Sequence, residues 1–98
     1  MPLETEPFDA ADHLNTPEAV AAFLEDAFAT ANPVEITDAI GVVARARGMS
    51  QIAEEAGVTR DALHRALTPT GDPRFSTLLG VLKALGIQLV AVKARDAA

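Results

Sequence analysis

Apolar residues recur at helical spacing along most of this chain, and the residues between the runs punctuate them clearly. Val20, Phe23, Leu24, Ala27 and Phe28 fall at i, i+3, i+4, i+7 and i+8, which is one face of an amphipathic helix. Thr16 and Pro17 precede it as a start signal, because Thr accepts from orphan amides and Pro gives up a donor that had no partner there. This helix runs to about Thr30. Asn32 and Pro33 repeat the device, and the next helix turns Ile36, Ala39, Ile40, Val43 and Ala44 inward before Gly48 ends it. Thr68 to Pro73 holds two prolines, a Gly and an Asp, so it must be a loop. Phe75, Leu78, Leu79, Leu82 and Leu85 form a last stripe, stopped by Gly86. At the front, Leu3 to Pro7 has no periodicity and reads as extended, and Asp9 is placed to cap a single turn through Leu14.

The stretch from Ile52 to Leu67 reads as two short helices around a tight turn, with Ala53, Gly57 and Val58 spaced as in a helix-turn-helix unit. Ala53 lies where the second helix crosses the first, so its single methyl lets the backbones approach. Gly57 takes the positive φ that closes the first helix, and Val58 plugs the turn. Thr59 caps the second helix by accepting from amides near Ala62, so that helix starts at Arg60. Ile52, Ala56, Val58, Leu63 and Ala66 or Leu67 then point inward, while Thr59, Arg60, Asp61, His64 and Arg65 share the opposite face. A buried stripe with Arg, His and Thr outside is the make-up of a helix that reads the major groove. The alternative is a helical hairpin of an ordinary bundle, with Gly57 a plain C-cap and the charges solvating a face.

Ile87 to Lys93 changes character, with Ile87, Leu89 and Ala91 alternating against Gln88, Val90 and Val92, and β-branched residues prominent. It reads as a strand. No second strand-like run exists to pair with it, so its partner is expected in a second copy of the chain or in another protein's sheet edge. The alternative is an irregular tail packed on the last helix. The expected fold is mainly α: a five-helix, repressor-like helix-turn-helix domain with one short C-terminal β-strand. It is one domain over 1–98, with an acidic segment at 1–15, a helical body at 16–86 and the strand at 87–93. A dimer through 87–93 would present two reading helices about 34 Å apart.

Charge changes the picture most. Residues 1–40 carry nine acids and no Lys or Arg, whereas residues from Gly41 onward carry eight bases and five acids, so the halves stand at −9 and +3 within a net −6. Every cation lies in or beside the helix pair. That segregation is compatible with a nucleic-acid partner despite a pI near 4.7. The 98 residues are 49% hydrophobic, enough for a modest core. With no Cys there is no disulfide framework, thiolate metal site or thiol nucleophile. No run approaches the ~20 apolar residues of a membrane span, and the acidic front lacks a signal-peptide layout, so the expected location is cytoplasmic.

Enzyme chemistry finds little to work with. His13 and His64 lie in separate segments, no Ser, Asp and His are grouped, and no glycine-rich phosphate loop or calcium-loop spacing occurs. No cofactor or metal is expected. Single-strand binding is disfavoured as well, since the chain has no Tyr or Trp and its Phe residues, Phe8 apart, sit at core spacings.

Taken together, the acidic opening through Pro7, Phe8 and Asp9, then Leu14, Thr16, Pro17 and Glu18, then Ala44, Arg45, Ala46, Arg47, Gly48 and Met49, resembles the small bacterial addiction-module antidote proteins. The likeness continues through Ala53, Gly57, Arg60, Leu63, Ala66 and Leu67, and through Gly71, Asp72, Pro73, Phe75, Thr77, Leu78, Leu85 and Gly86. It covers nearly the whole chain. The resemblance implies a helix-turn-helix antitoxin with a repressor-like fold, paired with a toxin of the RelE/ParE-like group. Such a protein neutralises its toxin and represses the shared operon. Two positions depart: Met49 stands where many phage-repressor-like domains carry a phosphate-contacting Gln, and His64 where many relatives carry Tyr.

These readings assign residues to two partners. Duplex operator DNA is expected to meet Thr59, Arg60, Asp61, His64 and Arg65, with Arg74, Ser76 and Thr77 holding a phosphate at the start of the last helix. Arg45 and Arg47 either touch the DNA backbone or pair with Asp38 or Glu54. RelE/ParE-like toxins are generally basic, so the resemblance implies that the acidic front covers one, with Glu4, Glu6, Phe8, Asp9 and Asp12 as candidate contacts. The alternative is that these acids keep a small domain soluble. A stand-alone repressor-like regulator without a toxin is the rival function.

Overall fold

The computed structural model describes residues 14–94. Five helices follow one another: α1 (Pro17–Ala29), α2 (Pro33–Arg47), α3 (Met49–Ala56), α4 (Arg60–Ala66) and α5 (Phe75–Ala84). The expected opening segment, the turn begun by Asp9 and the candidate toxin contacts Glu4, Glu6, Phe8, Asp9 and Asp12 lie outside the described residues. Leu14 is described, and it is buried in the core.

The start signals act as the residues dictate. Thr16 Oγ1 accepts from the Ala19 amide at 3.1 Å, Asn32 Oδ1 accepts from the Val34 and Glu35 amides, and Thr59 Oγ1 accepts from the Ala62 amide at 3.0 Å. Each satisfies donors that the first turn of a helix leaves without a partner. Replacing Thr59 with Ala removes that acceptor, and the expected result is a loss of about 1 kcal/mol in a urea titration. A change below about 0.3 kcal/mol would show that the capping bond carries no net stability.

The helices close on one core. Val20 and Leu24 enter it from α1, Ala39, Ile40, Val43 and Ala44 from α2, and Met49, Ile52 and Ala53 from α3. Leu63 comes from α4, Leu67 follows it, and Val81, Leu82 and Leu85 enter from α5 and its cap. Each fully buried Val or Leu contributes about 1.5–3 kcal/mol of transfer free energy. The short helix α3 is central, packing against α2, α4 and α5, while α1 packs on α2. Two glycines inside helices permit this closeness. A Cβ on Gly41 would come 2.9 Å from the Leu67 carbonyl oxygen, and one on Gly80 would come 3.3 Å from the Ala56 Cβ.

Two expectations are corrected. The stripe on α5 is narrower than the leucine count suggests: Phe75 is 66% exposed and Leu79 is 41% exposed, while Val81 is fully buried. The inward line is Leu78, Val81, Leu82 and Leu85, an i, i+3, i+4, i+7 set that leaves Phe75 and Leu79 on its outer flank. The second correction concerns residues 87–93. They form neither helix nor strand, and among the described residues there is no strand. Alternating apolar residues favour an extended backbone, but a strand exists only where a neighbouring backbone completes its ladder. Among the described residues none runs beside it in that way. The irregular tail weighed as the alternative is what forms, although it runs beside α1.

Candidate nucleic-acid interface

The α3–α4 junction is built by backbone hydrogen bonding around one residue. Gly57 has φ 79° and ψ 26°, the left-handed conformation, where a Cβ would meet the following carbonyl. Its amide donates to the Glu54 carbonyl at 3.2 Å, and the Val58 amide donates back to the Ala53 carbonyl at 3.0 Å. This pair of bonds is a Schellman motif, which ends a helix and reverses the chain in two residues. Val58 is half-buried against the core and Ala53 is buried, so the turn is plugged as its spacing predicts. Thr59 caps the next helix, which begins at Arg60.

That helix is anchored by one side. Leu63 is its fully buried residue, Leu67 follows as its buried cap, and Ala62 and Ala66 are half-buried. Arg60, Asp61, His64 and Arg65 are all exposed, as is Thr59. At about 100° per residue, Asp61 and Arg65 occupy the middle of the outer face, with Arg60 and His64 on one flank. The surface therefore mixes two guanidinium groups, an imidazole and a carboxylate. Arg pairs bidentately with guanine, and a carboxylate accepts from the cytosine amino group.

The loop after α4 folds back along it. Gly71 lies so close to the Arg65 and Ala66 carbonyls that a Cβ there would collide with both. Thr68 Oγ1 donates to the Arg65 carbonyl at 2.9 Å. This brings Arg74 and Thr77 into a recess of about 250 Å³ shared with Ala62, Leu63 and Ala66, so both stand beside α4. Ser76 is exposed on the first turn of α5 and does not line that recess. On the other side, His64 and Arg65 border a wider depression of about 520 Å³ with Thr68, Thr70 and Gly71.

The remaining sequence candidates divide. Met49 is buried in the core, so it offers nothing to a phosphate. Arg45 lies back along α2, its Nη1 3.2 Å from where a Gly41 Cβ would stand. Arg47 keeps Nη1 buried with no hydrogen-bond partner, so the weighed pairing with Asp38 or Glu54 does not engage that nitrogen. Spacing arguments pass over such a group, since nothing in the pattern tells whether a side chain turns out or in. Among the described residues, no helix is long and apolar enough to cross a membrane.

A family model described as "Probable addiction module antidote protein" matches residues 4–93. A protein of Haemophilus influenzae strain Rd, described as an uncharacterized protein, is 42% identical over 90 residues, covering 92% of this chain and 93% of its own length. No solved structure matches the chain.

Proposed function

The chain belongs to the addiction-module antidote proteins, and from that premise we propose that it is the antitoxin of a type II toxin–antitoxin pair and the repressor of its own operon. It binds operator duplex through a helix-turn-helix formed by α3 and α4, in a repressor-like fold, and it neutralises a toxin of the RelE/ParE-like group by protein contact. The observation that carries the DNA half is the exposed face of Arg60, Asp61, His64 and Arg65 on a helix whose other side is anchored by Leu63. With Leu63 fixing the helix to the core, Arg60, His64 and Arg65 stay in solvent, where a duplex can reach them. As a homodimer acting in the cytoplasm, the protein would read two half-sites one helical turn apart, which multiplies specificity.

For the toxin half, Glu4, Glu6, Phe8, Asp9 and Asp12 are assigned to the contact, within a front half that carries all its charge as acid. An acidic surface speeds encounter with a basic one and covers it. A neighbouring short reading frame encoding a basic protein is expected, and co-expression with this chain is expected to restore growth that its product alone arrests; absence of such a frame favours the stand-alone regulator. Removal of residues 1–12 is expected to weaken that binding while leaving retention of operator DNA as it was. Unchanged affinity for the partner removes the assignment of the acidic segment, and absence of growth rescue by the full chain removes the antitoxin reading.

A further inference from the structure

Resting on the antitoxin reading, we propose that a groove between α1 and the C-terminal tail seats a basic amphipathic helix of the partner protein. The groove has a volume of about 490 Å³. One wall is the α1 face of Ala21, Leu24, Glu25 and Phe28, and the other is the tail, with Leu89 and Val92. Gly86, at φ 77°, launches that tail. The Gly86 amide donates to the Lys83 carbonyl and the Ile87 amide donates to the Leu82 carbonyl, so the end of α5 is closed, and the chain after it lines the groove with α1.

Three properties of the groove select its occupant. The first is apolar area open to solvent: Leu89 is 42% exposed, Val90 70% and Val92 83%. Three such residues within four positions form a patch of the kind that marks a protein contact. The second is charge. Glu25 lines the groove, and Glu18, seven residues earlier, falls within about 20° of the same helical face. From Leu14 to Ala44 the only charged residues are Glu18, Glu25, Asp26, Glu35 and Asp38, and all five are exposed. Lys93 stands at the end of the tail and does not line the groove. A second copy seated here would bring its own acids against these, whereas a helix with Lys or Arg flanking an apolar stripe would pair with them. The third is the backbone of 88–94, which makes no backbone–backbone hydrogen bond among the described residues. Its carbonyls can accept from a cationic side chain laid along the groove. The stretch Ala21–Ala29 spans about 12 Å, so the seated helix presents two to three turns, with anchors at i, i+3 or i+4, and i+7.

The test uses the full chain and a fluorescein-labelled Leu/Lys peptide of two to three helical turns, read by fluorescence anisotropy. E18K/E25K is expected to weaken binding by about tenfold or more, while E35K/D38K, an identical change of net charge away from the groove, leaves it within about twofold. L89S/V92S, which alters exposed residues alone, is expected to weaken binding as well. Equal losses from the two charge variants, or no loss from L89S/V92S, overturn the proposal. So does a chain that sediments as a dimer which L89S/V92S dissociates, since a second copy then covers the groove. In growth rescue with the neighbouring product, groove variants that protect as well as the wild type leave the antitoxin role standing and remove the groove. Failure of the wild type itself removes the role.

Discussion

Changing Arg60 and Arg65 together to Ala is expected to abolish retention of a duplex carrying the chain's own upstream region in a gel shift. Both guanidinium groups are exposed on α4, and Leu63 on its opposite side holds the helix in place, so neither change touches the core. Each good bidentate contact with guanine is worth about 1–3 kcal/mol of discrimination. Losing two therefore lowers affinity by roughly a hundredfold or more. Stability should stay within about 0.5 kcal/mol, as for surface substitutions elsewhere, which circular dichroism on the same sample checks. Arg74→Ala makes an informative companion. If Arg74 holds a phosphate beside α4, its loss weakens binding to all sequences evenly and lowers the salt slope by about 1. Normal retention by the double variant would refute the assignment of α4 to DNA.

The largest expected effect on stability is that of Leu63→Ala. Leu63 is fully buried and is the one buried residue of the short helix α4. Removing its isobutyl group leaves a cavity under the helix, at a cost of about 2–5 kcal/mol. Domains of this size have about 5–15 kcal/mol in total. A thermal midpoint lower by roughly 10–20 °C is expected in calorimetry. Because α4 holds to the body through Leu63 and Leu67, operator binding should fall with it even below the midpoint. A midpoint within about 3 °C of the wild type would mean that α4 is held by other contacts, and the account of how its outer face is presented would need revision.

The helices and their caps were legible because they are local. Thr16, Asn32 and Thr59 each reach amides two or three residues ahead, and Gly57 and Gly86 close helices through bonds within six residues. Nothing distant has to be known for such signals to act. The exposed set on α4 followed from the same locality, since a single buried line through Leu63 leaves the opposite face outside whatever it packs against. The apolar stripe on α5 was harder. Its leucines outnumber the places its neighbours can cover, so Phe75 and Leu79 stay in solvent.

What the sequence alone determined, then, is where the side-chain-capped helices α1, α2 and α4 begin, that α3 closes at Gly57 and which side of α4 stays bare, because capping bonds and helical periodicity are settled within a few residues. The helix α3, which has no side-chain cap, begins at Met49, three residues before the Ile52 at which the pattern starts. Tertiary structure decided the rest. Gly41 and Gly80 count only once α2 meets Leu67 and α5 meets Ala56. The placing of Arg74 and Thr77 beside α4 depends on Gly71 tucking the loop under the Arg65 and Ala66 carbonyls. The tail from 87 to 93 stays irregular because a ladder needs a second backbone, and whether one lies alongside is a property of the packed chain, which no alternation of residues can supply.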